Sequence, residues 1–232
     1  MSIRVMLADD HQMVCEGLAA LLDRESGLQV IAQVRNGLEA VSAAHQLRPN
    51  VVVMDLMMPG LNGIEATRQI VRGVPSTRVL CLSAHVERHL VKAMLDAGAS
   101  GYVLKDCAFD ELAAAVRAVA GGRAYLRPAV ASLVVEEYRA GRTAPRDSAM
   151  DRLTERERQI VQLLAEGHST KQIAARLNVS AKTVATHREH VMGKLHLGSV
   201  AELTKFAVRE GLTPLGPTPR GASPAFTQGS RR

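Results

Sequence analysis

The feature that most limits the fold is a repeated alternation in the first half of the chain. Five short apolar runs occur there, and each is followed by a stretch with helical spacing. "IRVMLA" runs into Asp9-Asp10, and Val14, Leu18, Leu21 and Leu22 then recur at helical intervals. "LQVIAQV" precedes Gly37 and "LEAVSAAHQL". "VVVM" precedes Asp55, and a helix opens near Asn62 with Ile64, Ile70 and Val71 inside it. "RVLCLS" precedes a helix near Glu87 to Ala97, and "GYVLK" precedes "FDELAAAVRAVAGG". Strands that alternate with helices pair in parallel, because each helix carries the chain back across the sheet. Apolar runs without a polar face fit strands covered on both sides. Aromatic residues make up only 3% of the chain and Trp is absent, so the core must be aliphatic.

The pattern blurs after residue 122. Residues 123–151 read as a linker, in which "PAVASLVVEEYR" has the makings of a short helix and "AGRTAPRDSAM" is small, polar and Pro-containing. Residues 152–211 form a second unit with well-marked helix starts. Thr154 with Glu157, Ser169 with Gln172 and Ser199 with Glu202 each fit a capping box, and a fourth start lies at Ser180. Four short helices make a small all-α domain. Residues 212–232 are rich in Pro, Gly and Ser without periodicity and are expected to be disordered.

Charge divides the chain in the same place. Residues 1–125 carry 12 Lys/Arg against 13 Asp/Glu, and residues 126–232 carry 17 against 10. A basic second half suits a polyanionic partner, although a solvated surface has the same composition. The three cysteines, Cys15, Cys81 and Cys107, are widely spaced with no CxxC pair, which fits a reducing compartment better than a disulfide framework or a metal site. No apolar run approaches the roughly 18 residues of a membrane span, and "MSIRVMLADDHQ" is unlike a signal peptide. A cytoplasmic protein without membrane contact is expected.

In an open parallel sheet, functional groups gather at the carboxyl ends of the strands. With strand order 2-1-3-4-5, a flavodoxin-like doubly wound sheet, strand 1 ends in Asp9-Asp10 and strand 3 in Asp55. Strand 4 ends in Ser83 and strand 5 in Lys105. Three close carboxylates repel unless a cation joins them, and oxygen ligands with room for water suit Mg²⁺. Asp55 then stands where its oxygen can attack phosphorus to give an acyl phosphate. Mg²⁺ and Lys105 would stabilise the phosphoryl oxygens, and Ser83 can donate to one of them. Taken singly, Asp10 reads as a helix cap and Lys105 as a surface charge.

The pieces "LADDH", "VVVMDLMMPGLNGIE", "LCLSAH" and "GYVLKD" resemble the receiver domain of response regulators over residues 1–122. The resemblance implies phosphoryl transfer from a sensor histidine kinase to Asp55. It implies Mg²⁺ held by Asp9, Asp10, Asp55 and the Met57 carbonyl. It also implies a switch in which Ser83 moves to the phosphoryl group and Tyr102 rotates inward. Met57 and His85 stand where such domains tune phosphoryl lifetime, and Cys15 stands where many relatives carry Arg. A haloacid-dehalogenase-type phosphotransferase also uses an Asp nucleophile, but it has a second Asp two residues on, where this chain has Met57.

In "STKQIAARLNVSAKTVATHREHVMGKL", Ile173, Ala174 and Leu177 give one helix a packing face, and Val184, Val191 and Leu195 give the next one its own. This is a helix-turn-helix layout over about Ser169 to Arg188, whose second helix enters the major groove. With "LTERERQIVQLLAEG" ahead of it, the segment resembles the LuxR-type DNA-binding domain, and the two matches together describe a NarL/FixJ-type response regulator. The resemblance implies groove-facing positions at Ala185, Thr186 and Glu189. It implies phosphate contacts from Lys182, Thr183, His187 and Lys194; at 100° per residue Arg188 points partly toward the core. It implies a dimer helix with Val200, Leu203 and Ala207 on one face, although some of these residues must close the small core.

The expected function is a phosphorylation-dependent DNA-binding regulator and not an enzyme. Its partners would be a sensor kinase, promoter DNA, a second copy on DNA and RNA polymerase. The receiver is expected to mask the recognition helix or the dimer helix until Asp55 is phosphorylated. A DNA-binding regulator whose receiver is a phosphorylation-independent dimerisation module is the alternative. A phosphatase acting on a small substrate is a further rival, but no lid or substrate domain is visible.

Overall fold

The structure is a computed structural model that describes residues 2–84, 86–140, 149–150 and 152–214. The strands are β1 (Ile3–Ala8), β2 (Leu28–Val34), β3 (Val51–Asp55), β4 (Arg78–Ser83), β5 (Gly101–Leu104) and β6 (Tyr125–Leu126). They pair in parallel in the order β2-β1-β3-β4-β5-β6. The expected order is present, with one strand more than the five expected. β6 is two residues long, too short for periodicity to reveal, and it exists because Tyr125 and Leu126 reach Gly101 and Tyr102 at the sheet edge.

Side-chain alternation divides the sheet into two faces. Met6, Val52, Met54, Val79 and Cys81 pack with α2 (Gly37–Leu47), α3 (Gly63–Gly73) and α4 (Arg88–Asp96). Val5, Leu7, Val51, Val53, Leu80 and Leu82 pack with α1 (Gln12–Leu22) and α5 (Phe109–Ala120). These strand residues are 0–4% exposed, so each full side chain contributes about 2 kcal/mol of burial. The central strands therefore cannot shift, and their carboxyl ends line up at one edge.

The linker holds more structure than its composition suggests. α6 (Pro128–Ala140) packs on α4, with Val130 fully buried and Leu133 and Val134 against the same core. Residues 141–148 and Asp151 lie outside the described residues. The second domain comprises α7 (Glu155–Ala165), α8 (Thr170–Leu177), α9 (Ala181–Leu195) and α10 (Val200–Arg209) around a separate aliphatic core. Thr154/Glu157 and Ser169/Gln172 form complete capping boxes. Ser199 caps only one way, because the Glu202 carboxylate turns to the Gly198 amide. Asn178 closes α8 in the left-handed conformation at φ 52°, which shapes the turn into α9.

The boundary expected at residue 212 is corrected. Leu212 donates its amide to Ala207, and Leu212 and Thr213 are buried, so the domain runs past Gly211. The rest of the expected tail, 215–232, lies outside the described residues. No described helix is long and apolar enough to cross a membrane.

Candidate functional site

Strand register brings the sequence-selected residues together. Ala8 pairs with Met54 and Asp55 with Leu82, while Ser83 pairs with Leu104 and accepts the Lys105 amide. Asp9, Asp55, Ser83 and Lys105 therefore share one edge of the sheet. After Asp55 the chain must turn into α3 at once. Gly60 supplies φ +78°, and Gly63 lies so close to β3 that a Cβ there would overlap the Asp55 carbonyl. Asn62 caps α3 by accepting the Glu65 amide.

Asp55 is 5% exposed. Its Oδ1 accepts the Leu56 amide at 2.8 Å, and its Oδ2 lies 3.0 Å from the Lys105 ammonium. Lys105 is also 2.6 Å from Asp9 Oδ2. Asp9 Oδ1 accepts the His11 amide at 2.9 Å, and His11 Nδ1 lies 3.0 Å from it and 2.9 Å from Asp10 Oδ1. Burial pushes the Asp55 pKa up to about 6, and Asp9 and Asp10 add to the rise against the pull of Lys105. Burial acts against the Lys105 charge, but Asp55 and Asp9 outweigh it and raise its pKa.

This pocket holds more negative charge than Lys105 offsets. Asp9 Oδ2 and Asp10 Oδ1 are buried oxygens that no well-directed hydrogen bond reaches; Lys105 and His11 meet them as ion-pair neighbours. Ligand atoms of Asp9, Asp10, His11 and Asp55 lie within 4.8 Å of one another. Carboxylate donors at that spacing fit a hard divalent cation such as Mg²⁺. His11 was not selected from the sequence as a site residue, although "DDH" places it next to the pair.

Ser83 and Tyr102 are fully buried. Tyr102 is inward in this structure. His85 lies outside the described residues. Cys15 is buried, its Sγ 3.5 Å from the Asp9 carbonyl, and burial pushes its thiol up to about 11. That makes it a packed side chain and a poor nucleophile.

On α9, Lys182, Thr183, Thr186 and Glu189 are exposed, while Ala185, His187 and Arg188 are half-buried. Lys194 is corrected. Its ammonium lies 2.7 Å from Glu157, a buried carboxylate. Burial would raise the Glu157 pKa, but Lys194 and Thr154 outweigh it and hold the group low. Lys194 therefore holds the domain core and is not free for a phosphate. Leu203 and Ala207 are also corrected. Both are 0% exposed inside the small domain, and Val200 alone of the three offers an exposed face.

The domains meet through α7, a contact that sequence reasoning missed. Arg158, Gln162 and Glu166 recur every four residues and form a polar stripe opposite the Ile160, Val161 and Leu164 core face. Arg158 Nε lies 2.8 Å from the buried Glu65. Gln162 and Glu166 bond the turn between β3 and α3, and Arg72 pairs with Glu155 at the rim. Gly211 packs against Leu90 and the Met57 side chain. The receiver thus covers α7 and the end of α10, and the outward residues of α9 remain exposed. Of the two helices expected to be masked, the receiver contacts the end of α10 and not the outward face of α9.

Residues 5–117 match the family described as "Response regulator receiver domain", and residues 151–207 match "Bacterial regulatory proteins, luxR family". The response regulator GacA of Pseudomonas protegens is 37% identical over 211 residues, covering 90% of this chain and 97% of GacA. The crystal structure of ChrA, a response regulator of a heme-sensing two-component system, is 36% identical over 91% of this chain and 98% of its own, with a TM-score of 0.50. A response regulator RcsB–DNA complex is 26% identical, covering 90% of this chain and 99% of RcsB, with a TM-score of 0.55. The receiver fold, the helix-turn-helix and this full-length similarity place the chain among the two-component response regulators of the NarL/FixJ type, transcription regulators that join a receiver to a LuxR-type DNA-binding domain.

Proposed function

We propose that this regulator is switched by phosphorylation of Asp55. An Asp55 oxygen attacks the phosphorus of a phosphohistidine on a sensor kinase, the N–P bond breaks, and an acyl phosphate forms as the histidine leaves. The observation that carries this reading is the convergence of Asp9, Asp10, Asp55 and Lys105 at one strand edge. Asp9, Asp10, Asp55 and the Met57 carbonyl would hold Mg²⁺, which supplies positive charge to the phosphoryl oxygens. Lys105 moves from the Asp55 carboxylate to a phosphoryl oxygen, and Ser83 donates to another.

Phosphorylation then favours the arrangement in which α7 and the end of α10 are released from the receiver. The freed domain pairs with a second copy on promoter DNA in the cytoplasm and engages RNA polymerase. That RcsB dimers have been solved on DNA supports the dimeric reading. On α9, Ala185, Thr186 and Glu189 read bases, and Lys182 and Thr183 meet phosphates. The first experiment is intact mass after incubation with Mg²⁺ and acetyl phosphate, beside Asp55→Asn, with promoter binding in parallel. One phosphoryl group on the wild type only, with tighter DNA binding, is the expected result. No adduct with unchanged DNA binding would replace this reading by a phosphorylation-independent receiver.

A further inference from the structure

The turn that follows Asp55 is held by the other domain. Gln162 Oε1 accepts the Asn62 amide at 2.9 Å and the Asn62 side-chain amide at 3.1 Å. Gln162 Nε2 donates to the Met58 carbonyl at 2.9 Å and to Glu166 at 2.8 Å. Glu166 in turn accepts the Gly60 amide at 3.0 Å. A glutamine side chain has two donor hydrogens and two acceptor positions, and here all four are used. Gln162 and Asn62 are each 1% exposed, so nothing in solvent competes for these bonds. Buried polar networks satisfied this fully define geometry tightly, because any displacement leaves a desolvated group unpaired.

The geometry points to Gln162 as a positioning residue for the phosphoacceptor site, supplied by the DNA-binding domain. Only Leu56 and Met57 separate Asp55 from the bonded Met58 carbonyl. Any change in the Met57–Met58 backbone, where the Met57 carbonyl would meet a cation, must act on the bond from Gln162 to the Met58 carbonyl. Inward Tyr102 and docked α7 occur together in this structure. The short route from Asp55 to the DNA-binding domain then runs along the backbone through Leu56 and Met57 to the Met58 carbonyl held by Gln162. Coupling between two sites is reciprocal. If phosphorylation loosens the α7 contact, the α7 contact must oppose Mg²⁺ binding and phosphorylation at Asp55. This inference rests on the reading of Asp55 as phosphoacceptor.

The test uses the full-length chain as wild type, Gln162→Ala, Gln162→Glu and Arg72→Ala. Gln162→Glu keeps an acceptor for Asn62 but loses the donor to Met58. Arg72→Ala loosens the rim of the same interface without touching the turn. Mg²⁺ affinity is measured by calorimetry, and phosphoryl uptake from acetyl phosphate by intact mass across Mg²⁺ concentrations. Gln162→Ala is expected to tighten Mg²⁺ binding by about fivefold or more, the low end of typical coupling, and to lower the Mg²⁺ concentration for half-maximal uptake by the same factor. Gln162→Glu should shift in the same direction, and Arg72→Ala should stay near wild type. Equal shifts in Arg72→Ala and Gln162→Ala would make docking alone the cause and overturn the role of Gln162. So would no shift in either Gln162 variant. Calorimetry needs no phosphoryl transfer, so a wild type that binds Mg²⁺ but takes up no phosphoryl group would sink the Asp55 reading while leaving the Gln162 result legible.

Discussion

The acidic pocket and the Gln162 network of the α7 seam lie within a few residues of each other, and these two treat buried polarity in opposite ways. In the seam, Gln162, Asn62 and the backbone of the β3–α3 turn match donor to acceptor. In the pocket, Asp9 and Asp55 share the Lys105 ammonium, Asp10 lies beside His11, and two carboxylate oxygens lack a directed hydrogen bond. A matched network fixes a geometry and asks for nothing more. An unmatched cluster of like charge is costly until a cation arrives, and that cost makes the pocket responsive to ligand.

This contrast can be broken most sharply at Lys105. Lys105→Ala strands Asp9 and Asp55 without their shared cation, and in chelator the receiver should lose about 3 kcal/mol in urea denaturation. Part of that loss should return when Mg²⁺ is added. An unchanged midpoint in chelator would mean that the carboxylates are already neutral. Lys194 gives the counterpart in the second domain, where a matched pair holds a core. Lys194→Ala should cost about 2 kcal/mol by leaving Glu157 buried and unpaired, whereas Lys182→Ala should weaken DNA binding and leave thermal stability unchanged. If Lys194→Ala weakened only DNA binding, the core role would be wrong.

Asp55→Asn tests the charge excess from the other side. The folded pKa of Asp55 is raised to about 6 from the ordinary 3.8. The native chain therefore holds this proton more tightly than the unfolded chain, and the ionised group destabilises the metal-free fold as pH rises through that window. Removing the charge should stabilise the chain by about 1–2 kcal/mol at pH 8 in chelator. The gain should fade below pH 4 and shrink with Mg²⁺. Glu189→Ala should lower discrimination between specific and random DNA by about 1 kcal/mol while changing non-specific affinity less. Equal changes in both would make Glu189 a solvated side chain. Arg72 and Glu155 pair with side chains 69% and 39% exposed, so Arg72→Ala should cost under about 0.5 kcal/mol, far less than loss of Lys105. A larger cost would show that the rim pair carries the docking.

Most of the receiver site was legible from the sequence because its residues sit at strand ends. A short apolar run marks where a strand stops, and parallel pairing carries each stop to the same edge. That is why Asp9, Asp10, Asp55, Ser83 and Lys105 could be chosen together. β6 escaped notice because two residues have no period. Lys194, Leu203 and Ala207 were misplaced because a helical wheel gives the side of a helix but not what covers it. Lys194 turned out to face a carboxylate in its own domain.

The sequence by itself determined the two-domain order, the parallel sheet, the helix caps and the residues of the acidic pocket. All of these follow from local periodicity and from groups close along the chain or at strand ends. Only the tertiary structure decided that Tyr102 is inward, that α9 stays exposed while α7 is covered, and that Gln162 binds the turn beside Asp55. These depend on which surfaces meet across about 100 residues of chain. Surface polar residues such as Arg158, Gln162 and Glu166 look alike in sequence whether they face water or another domain, because hydrogen-bonding capacity does not reveal its partner.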